Sequence, residues 1–133
     1  MFEMFADLHT IISGMICGII FLQTAVIAPS VFKNLDQSQT RNLLRAIFPK
    51  FFLFILLLGF FSLIIGFMNH ENFFTKSILS TLTIILSLTC YLIIPATNNA
   101  KDNNDQRKFK LLHKISVIAT VIILLINLSW VFI

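Results

Sequence analysis

The 133-residue chain contains few charged side chains. Asp, Glu, Lys and Arg make up 12% of its residues, against about 25% in an ordinary soluble domain. Hydrophobic residues make up 57%, and the mean hydropathy is +0.90. This scarcity of charge excludes a typical soluble globular domain and indicates an integral membrane protein.

Formal charge is missing from four stretches of the chain, which are residues 8–32, 51–70, 77–100 and 115–133. Each is long enough for the roughly 20 apolar residues that cross a hydrocarbon core about 30 Å thick. Because a lipid-exposed backbone must satisfy its own hydrogen bonds, each crossing should be helical. The sequence therefore predicts an all-α integral membrane fold, a bundle of four transmembrane helices in a single domain. The predicted spans are about 9–31, 50–69, 76–97 and 112–132.

Basic residues are nearly absent from one side of the predicted bundle. Nine of the ten Lys and Arg residues lie in or beside two connecting segments, 32–49 and 98–111, and the tenth is Lys76. Short loops rich in Lys and Arg stay on the cytoplasmic side. We therefore predict a multi-pass protein of a cell inner membrane, with two cytoplasmic loops and both termini outside the cytoplasm.

The same basic residues predict contact with anionic lipid headgroups. The candidates are Lys33, Arg41, Arg45, Lys50, Arg107, Lys108, Lys110 and Lys114. Nucleic-acid binding is disfavoured, because no recognition module fits in the predicted loops.

Proline is also scarce, and its three occurrences lie near the ends of predicted spans, at Pro29, Pro49 and Pro95. Because proline interrupts helices, we predict a structural turn at each. Between the first two spans, apolar residues recur at helical spacing among Arg and Asn residues. They are Leu43, Leu44, Ile47, Phe48 and Phe51. This pattern predicts an amphipathic helix that lies at the membrane interface.

Polar residues inside the predicted spans are few, and most share one face of their helix. Such residues usually face other helices, because exposing them to lipid is costly. We predict a polar bundle interior with these candidate ligand contacts: His9, Ser13, Gln23, Thr24, Ser87, Tyr91, His113, Ser116, Thr120 and Asn127. Gln23 provides either an interhelical hydrogen bond or a ligand contact. His113 is predicted to turn inward and donate to a backbone carbonyl.

Glycine occurs four times, and two of these residues form the motif Gly14-x-x-x-Gly18 in the first span. Small residues at this spacing let two helices approach closely. The motif fits packing within one bundle or pairing of two copies.

Recognised catalytic motifs are absent. The spans contain no paired acids, and the chain has no CxxC, HExxH, GxSxG or phosphate loop. Cys17 and Cys90 lie within spans, and scattered thiols are typical of packing. We therefore predict no catalytic residue, no metal and no cofactor, with haem as the alternative.

Several short patterns together resemble a known family. They are Leu8-His9, Pro29 with Phe32, Phe48-Pro49-x-Phe51, Pro95, and Phe109-x-x-x-His113-x-x-Ser116. In this order and spacing, the chain resembles the small bacterial four-helix membrane proteins of unknown function related to eukaryotic transmembrane protein 205. The resemblance implies the four-helix fold and supplies no reaction.

Three hypotheses for function follow. The leading one is a non-enzymatic membrane protein whose polar interior and basic rim contact lipid, handle a small molecule, or assemble with a second copy or a partner membrane protein. The second is a haem- or porphyrin-related membrane oxidoreductase with His9 or His113 as an axial ligand. It draws on the first span, which resembles that of the membrane-bound bacterial protoporphyrinogen oxidases. The third is a small transporter subunit, although no carboxylate lies within a span.

Overall fold

The computed structural model describes residues 2–68 and 73–132, which form helices joined by short connections. The first rod consists of α1 (Phe2–Phe21), a π-helical segment (Leu22–Ile27) and α2 (Ala28–Asn34). It is followed by α3 (Gln37–Met68), α4 (Phe73–Asp102), α5 (Gln106–Leu128) and a 3₁₀ turn (Ser129–Phe132). The described part contains no strand, so the predicted all-α fold is confirmed.

Four helical stretches in the described part are long and apolar enough to cross a membrane. They are Leu8–Asn34, Gln37–Met68, Phe73–Asp102 and Gln106–Leu128. The protein is therefore a multi-pass membrane protein with a four-helix bundle. α3 has 32 residues, which at 1.5 Å per residue gives about 48 Å and exceeds the hydrocarbon core of about 30 Å. Helix ends therefore do not mark the membrane boundary, and the predicted span limits stay predictions.

The four rods form a closed ring, because α3 packs against α1 and α4, and α5 packs against the same two helices. Neighbouring rods run antiparallel, which gives the bundle two distinct ends. We call the end where α2 meets α3 and α4 meets α5 the basic end, after Arg41, Arg45 and Arg107. The opposite end is called the histidine end, after His9.

Each rod supplies a fully buried side chain to the core. Ile16 of α1, Ile55 of α3, Cys90 of α4 and Ile123 of α5 all have 0% exposure. α3 and α4 approach closely at Gly59, where an added Cβ would lie 3.0 Å from Ile84 Cγ1. Glycine at this position brings two backbones together near the histidine end.

The segments predicted as loops, 32–49 and 98–111, are mostly helical. The helix ends are fixed by side-chain caps at the connections. Gln39 N–H donates to Asp36 Oδ1 at 2.8 Å, and Asp36 N–H donates to Gln39 Oε1 at 3.2 Å, which forms a capping box at the start of α3. Asp105 accepts from Lys108 N–H at 3.0 Å and caps α5.

The predicted amphipathic interfacial helix between the first two spans is wrong. Residues 37–49 are the first part of α3 and continue into the second span without a break. Most of their apolar side chains pack into the bundle: Phe48 contacts the core, and Leu44 and Ile47 are half-buried, whereas Leu43 is exposed. The apolar stripe that predicted membrane-surface binding is explained by this packing.

The predicted turns at the three prolines are also wrong. Pro49 lies inside α3, Pro95 lies inside α4, and Pro29 lies in the first turn of α2. Just before Pro29, Ala28 N–H donates to the Gln23 carbonyl across five residues, which is π-helical bonding. Membrane helices tolerate proline because local π geometry and neighbouring groups satisfy the freed backbone atoms.

Candidate functional site

A buried polar cluster joins three helices at the histidine end. His9 Nε2 lies 2.9 Å from the Ser62 hydroxyl oxygen, which lies 2.9 Å from the Ser80 hydroxyl oxygen. His9 and Ser80 are 2% exposed and Ser62 is 3% exposed. These contacts connect α1, α3 and α4 through hydrogen bonds closed off from the surroundings.

At the same end of the bundle, α5 contributes an amide that bonds α4, and the 3₁₀ turn after α5 contributes an indole that packs on His9. Asn127 Nδ2 donates to Thr83 Oγ1 at 3.2 Å and to the Ile123 carbonyl at 2.8 Å. The Trp130 ring packs on the His9 imidazole with ring centroids 4.0 Å apart. We call this group the histidine-end cluster: His9, Ser62, Ser80, Thr83, Asn127 and Trp130.

Some polar atoms at the edge of the cluster form no hydrogen bond. His9 Nδ1 and the hydroxyl of Ser13 are buried and have no hydrogen-bond partner in the described part of the chain. Lys76, which is 8% exposed, lies one turn before Ser80 on the same face of α4. The cluster therefore mainly links helices through hydrogen bonds. On its α1 side, His9 Nδ1 and the Ser13 hydroxyl can still form hydrogen bonds.

A different arrangement lies in the half of the bundle nearer the basic end, where an open groove separates the first rod from α3. It has a volume of about 370 Å³ and is lined by Ile19, Leu22, Gln23, Ile27, Ile47, Lys50, Phe51 and Phe54. Gln23 is 5% exposed, and its Nε2 has no hydrogen-bond partner among the described residues. We call this feature the Gln23 groove.

Gln23 lies on the packed face of the first rod. It follows the buried Ile16 by seven residues, which is about two α-helical turns, so it shares the face of Ile16 and Ile20. Leu22, Gln23 and Ile27 all belong to the π-helical segment, and all three line the groove. The next residue, Thr24, is exposed.

The basic end carries an exposed ion pair beyond the predicted span of α4. The Arg45 guanidinium donates to the Asp102 carboxylate at 2.5 Å and to the Asn98 carbonyl at 3.3 Å. Arg41 lies 3.8 Å from the same carboxylate. The hydrogen bond from Arg45 is the main cause that lowers the pKa of Asp102, and the charges of Arg45 and Arg41 act in the same direction.

Five of the predicted interior residues are buried: His9, Ser13, Gln23, Ser87 and Asn127. The structure brings His9 and Asn127 into the histidine-end cluster and places Ser13 beside it, whereas Gln23 lies apart in its groove. The Ser87 hydroxyl forms a hydrogen bond within its own helix, donating to the Ile84 carbonyl at 3.1 Å. Ser116 and Thr120 are half-buried.

Three predicted interior residues are exposed, and for them the prediction is wrong. Thr24 donates to the Ile20 carbonyl of its own helix at 2.8 Å, and Tyr91 is 37% exposed. His113 lies on the outer face, stacked on Phe109 with centroids 5.8 Å apart. The predicted inward hydrogen bond of His113 is therefore wrong.

The prediction for His113 failed because the buried face of α5 is narrow. The buried side chains of α5 are Ala119, Ile123 and Asn127, four residues apart. His113 precedes Ala119 by six residues, which places it about 120° from that face at 100° per residue. A polar residue so far from the packed stripe remains outside the bundle.

Four members of the cluster were not among the predicted site residues, namely Ser62, Ser80, Thr83 and Trp130. A signal existed for the first three. Ser80 and Thr83 share a face with Ser87, and Ser62 lies one turn from Gly59. No sequence pattern linked Trp130 to His9, because their contact depends on how two distant chain ends pack.

These features define a polytopic helical membrane protein with a closed polar cluster at one end and a basic surface at the other. The chain belongs to the family described as a domain of unknown function (DUF4149), which matches residues 11–107. The match contains all residues that line the Gln23 groove. Comparisons with curated proteins and with solved structures gave no match.

Proposed function

We propose that the protein is a non-enzymatic integral membrane protein whose basic end binds anionic membrane lipids. The observation that carries the proposal is a set of exposed basic side chains beside apolar helices. Of the eight predicted headgroup contacts, Arg45 is half-buried and seven are exposed: Lys33, Arg41, Lys50, Arg107, Lys108, Lys110 and Lys114. In the described residues, ion pairs form at Arg41 and Arg45. The other side chains therefore keep donors for lipid phosphates.

Lys50 and Lys114 have positions that suit this role. Each directly precedes an uncharged stretch of its helix, which runs from residue 51 to 68 in α3 and from 115 to 128 in α5. The α3 stretch is about 27 Å long at 1.5 Å per residue, close to the thickness of a hydrocarbon core. Lysines at such a border extend their ammonium groups to the headgroups, where each contributes about 1 kcal/mol.

The same proposal includes the orientation of the protein in its membrane and the identity of that membrane. Basic segments stay on the cytoplasmic side, so the basic end faces the cytoplasm and both termini lie outside it. The setting we propose is a bacterial inner membrane, with kinship to the proteins related to transmembrane protein 205. Charge at the basic end and the family patterns in the sequence support this part.

Lipid selectivity in nanodiscs tests the proposal. The protein is reconstituted with equal amounts of phosphatidylglycerol and phosphatidylcholine, and enrichment near the protein is measured with spin-labelled lipids. Lys110→Gln/Lys114→Gln should lower the enrichment of phosphatidylglycerol several-fold, since each basic residue contributes about 1 kcal/mol. The control Arg41→Gln/Arg45→Gln removes equal charge from two side chains that already pair with Asp102 and that lie roughly 14 Å and 8 Å from Lys50 along α3.

Two results would contradict the proposal. One is equal labelling by both lipids in the wild-type protein, because this would mean that the basic end has no preference for anionic headgroups. The other is an equal loss in both double variants, because it would mean that total charge and not position determines the enrichment. A reversed orientation, read from protease access to loop tags, would contradict the cytoplasmic assignment alone.

The haem hypothesis remains a prediction that the geometry does not favour. His9 Nε2, a potential iron ligand, is bonded to Ser62, and one face of its ring is covered by Trp130. His113 stacks on Phe109 at the surface. A Soret band in the purified protein that disappears in His9→Ala or His113→Ala would support the haem hypothesis against our proposal.

A further inference from the structure

The Gln23 groove has mainly apolar walls, and the side chains of Gln23 and Lys50 contribute to its lining. Gln23 Nε2 is buried and has no acceptor in the described residues, and the Lys50 side chain belongs to the opposite wall, which α3 forms. The remaining lining residues are Ile, Leu and Phe. No acidic side chain in the described residues pairs with Lys50. The groove therefore has apolar surface and, at its walls, one amide and one ammonium group that its own side chains do not pair.

We propose that this groove holds one anionic phospholipid from the leaflet at the basic end. The phosphate accepts from Lys50, an ester carbonyl accepts from Gln23 Nε2, and an acyl chain lies along Ile19, Phe51 and Phe54. The ligand must carry acceptors and negative charge, because the groove supplies donors and positive charge. It must also carry a hydrocarbon tail, because all other walls are apolar.

A phospholipid suits the location and shape of the groove. Gln23 and Lys50 both line the groove, and Lys50 directly precedes the uncharged stretch of α3, which is where headgroup and acyl chain should meet. The groove is open toward the outside of the bundle, so a lipid can enter sideways from the membrane. Its volume of about 370 Å³ falls within the range of about 300–1,000 Å³ for ligand pockets.

The backbone around Gln23 supports a binding role over a packing role. Gln23 lies in the π-helical segment that lines the groove, and π turns occur often at functional sites. A glutamine kept only for packing would be expected to bond another helix, because an unpaired amide is costly in an apolar setting. Leucine would fill the same space without that cost, so the amide calls for an acceptor that arrives with a ligand.

This inference rests on the proposed function only in taking a membrane lipid as the ligand. Headgroup contact at the basic end predicts many weak and exchangeable neighbours. The groove predicts one lipid per chain that dissociates slowly and depends on Gln23. The two ideas therefore fail separately.

Native mass spectrometry of the full chain in detergent, with added phosphatidylglycerol or phosphatidylcholine of identical acyl chains, tests the site. We expect one phosphatidylglycerol adduct on the wild-type protein. Lys50→Gln should lower its occupancy about tenfold, as expected when a hydrogen bond to a charged group is lost, and Gln23→Leu should lower it about fivefold, because the ester carbonyl is neutral. Thr24→Val is the matched control, since Thr24 is exposed in the same π segment, and it should leave the adduct unchanged.

Lys50→Gln keeps the test valid if Gln23→Leu alters the fold, because Lys50 is exposed and its replacement does not disturb the interior. Equal adducts with both lipids, or equal losses in Thr24→Val and Gln23→Leu, would overturn the groove site. Several weak adducts that respond to Lys110→Gln/Lys114→Gln and not to Gln23→Leu would also overturn it, while leaving the proposed function intact. If the wild-type protein shows no preference for phosphatidylglycerol, both the groove site and the proposed function are contradicted.

Discussion

The histidine-end cluster and the Gln23 groove are both built from polar side chains inside an apolar bundle, yet they differ in how those side chains are satisfied. In the cluster, His9, Ser62 and Ser80 bond one another across three helices. In the groove, Gln23 Nε2 has no partner in the described residues. The first arrangement contributes to the stability of the bundle, and the second leaves a donor for something outside it.

The difference shows that burial alone does not separate structural from binding residues. His9 is 2% exposed and Gln23 is 5% exposed, so the two are nearly equal by that measure. What separates them is that His9 bonds Ser62 of another helix through Nε2, whereas Gln23 Nε2 has no partner in the described residues and Gln23 lines an open groove. Substitutions in the two regions should therefore change stability by different amounts and even in opposite directions.

The largest effect is expected where α3 and α4 meet beside the cluster. A Cβ at Gly59 would lie 3.0 Å from Ile84 Cγ1, so we expect the larger side chain of Gly59→Leu to displace Ile84, separate the helices and lengthen the contact between Ser62 and Ser80. We expect a loss of about 1–3 kcal/mol in the free energy of unfolding, as is typical of overpacking. Unfolding in mixed micelles with increasing SDS measures it.

Gly18→Leu is the matched control for this prediction. No atom lies within 4 Å of a Cβ built at Gly14 or Gly18, so their motif faces outward and does not pack within the bundle. The unfolding free energy of Gly18→Leu should stay at the wild-type value. A change of oligomeric state in this variant would support pairing of two copies, and a loss of stability as large as that of Gly59→Leu would show that the Gly59 contact is not special.

The next effect in size concerns the cluster itself. Ser62→Ala removes the hydroxyl that joins His9 to Ser80 and leaves buried polar atoms without partners. Hydrogen bonds between membrane helices contribute about 0.6 kcal/mol on average and up to about 1.7, so we expect a loss near 1 kcal/mol. Thr89→Ala is the control, because Thr89 is exposed and bonds only the Ile85 carbonyl of its own helix. Equal losses in both variants would mean that the cluster adds nothing beyond local helix stability.

Sequence reasoning gave the helix count and the apolar stretches because both depend on composition over about 20 residues. It failed at the connections and at the prolines, since charge marks the membrane boundary while helix ends depend on local caps such as Asp36 and Asp105. It also misplaced His113, because one polar residue does not reveal how a helix turns against its neighbours.

The candidate site was predictable in part for a related reason. His9, Ser13, Gln23 and Asn127 stood out as polar residues in apolar spans, and all four are buried. The division between a cluster and a groove depends on contacts between helices, and no spacing along the chain encodes these. The π segment around Gln23 was also invisible in a pattern read at 3.6 residues per turn.

A smaller effect, of opposite sign, is expected in the groove. Without lipid, Gln23→Leu removes an unpaired buried amide, so detergent-solubilised protein should keep its stability or gain a few tenths of a kcal/mol. Phosphatidylglycerol should then raise the melting temperature of the wild-type protein by more than that of Gln23→Leu, which keeps only weaker binding. Thermal unfolding with and without the lipid measures both. A clear loss of stability in lipid-free Gln23→Leu would place Gln23 with the cluster as a structural residue.

The smallest effect is expected at the exposed ion pair of the basic end. Its polar groups are paired, as in the histidine-end cluster, but solvent weakens the pairing. The pKa of Asp102 is lowered, chiefly by its hydrogen bond from Arg45. A lowered folded-state pKa means that the contribution to stability is present above the unfolded value of about 3.9 and is lost as pH falls below it. The α3–α4 contact should therefore loosen below about pH 4, which hydrogen exchange near Asn98 measures. Asp102→Asn should already show the loosened state at neutral pH and lose this dependence, whereas a pH response that persists in Asp102→Asn would assign the titration to another carboxyl group.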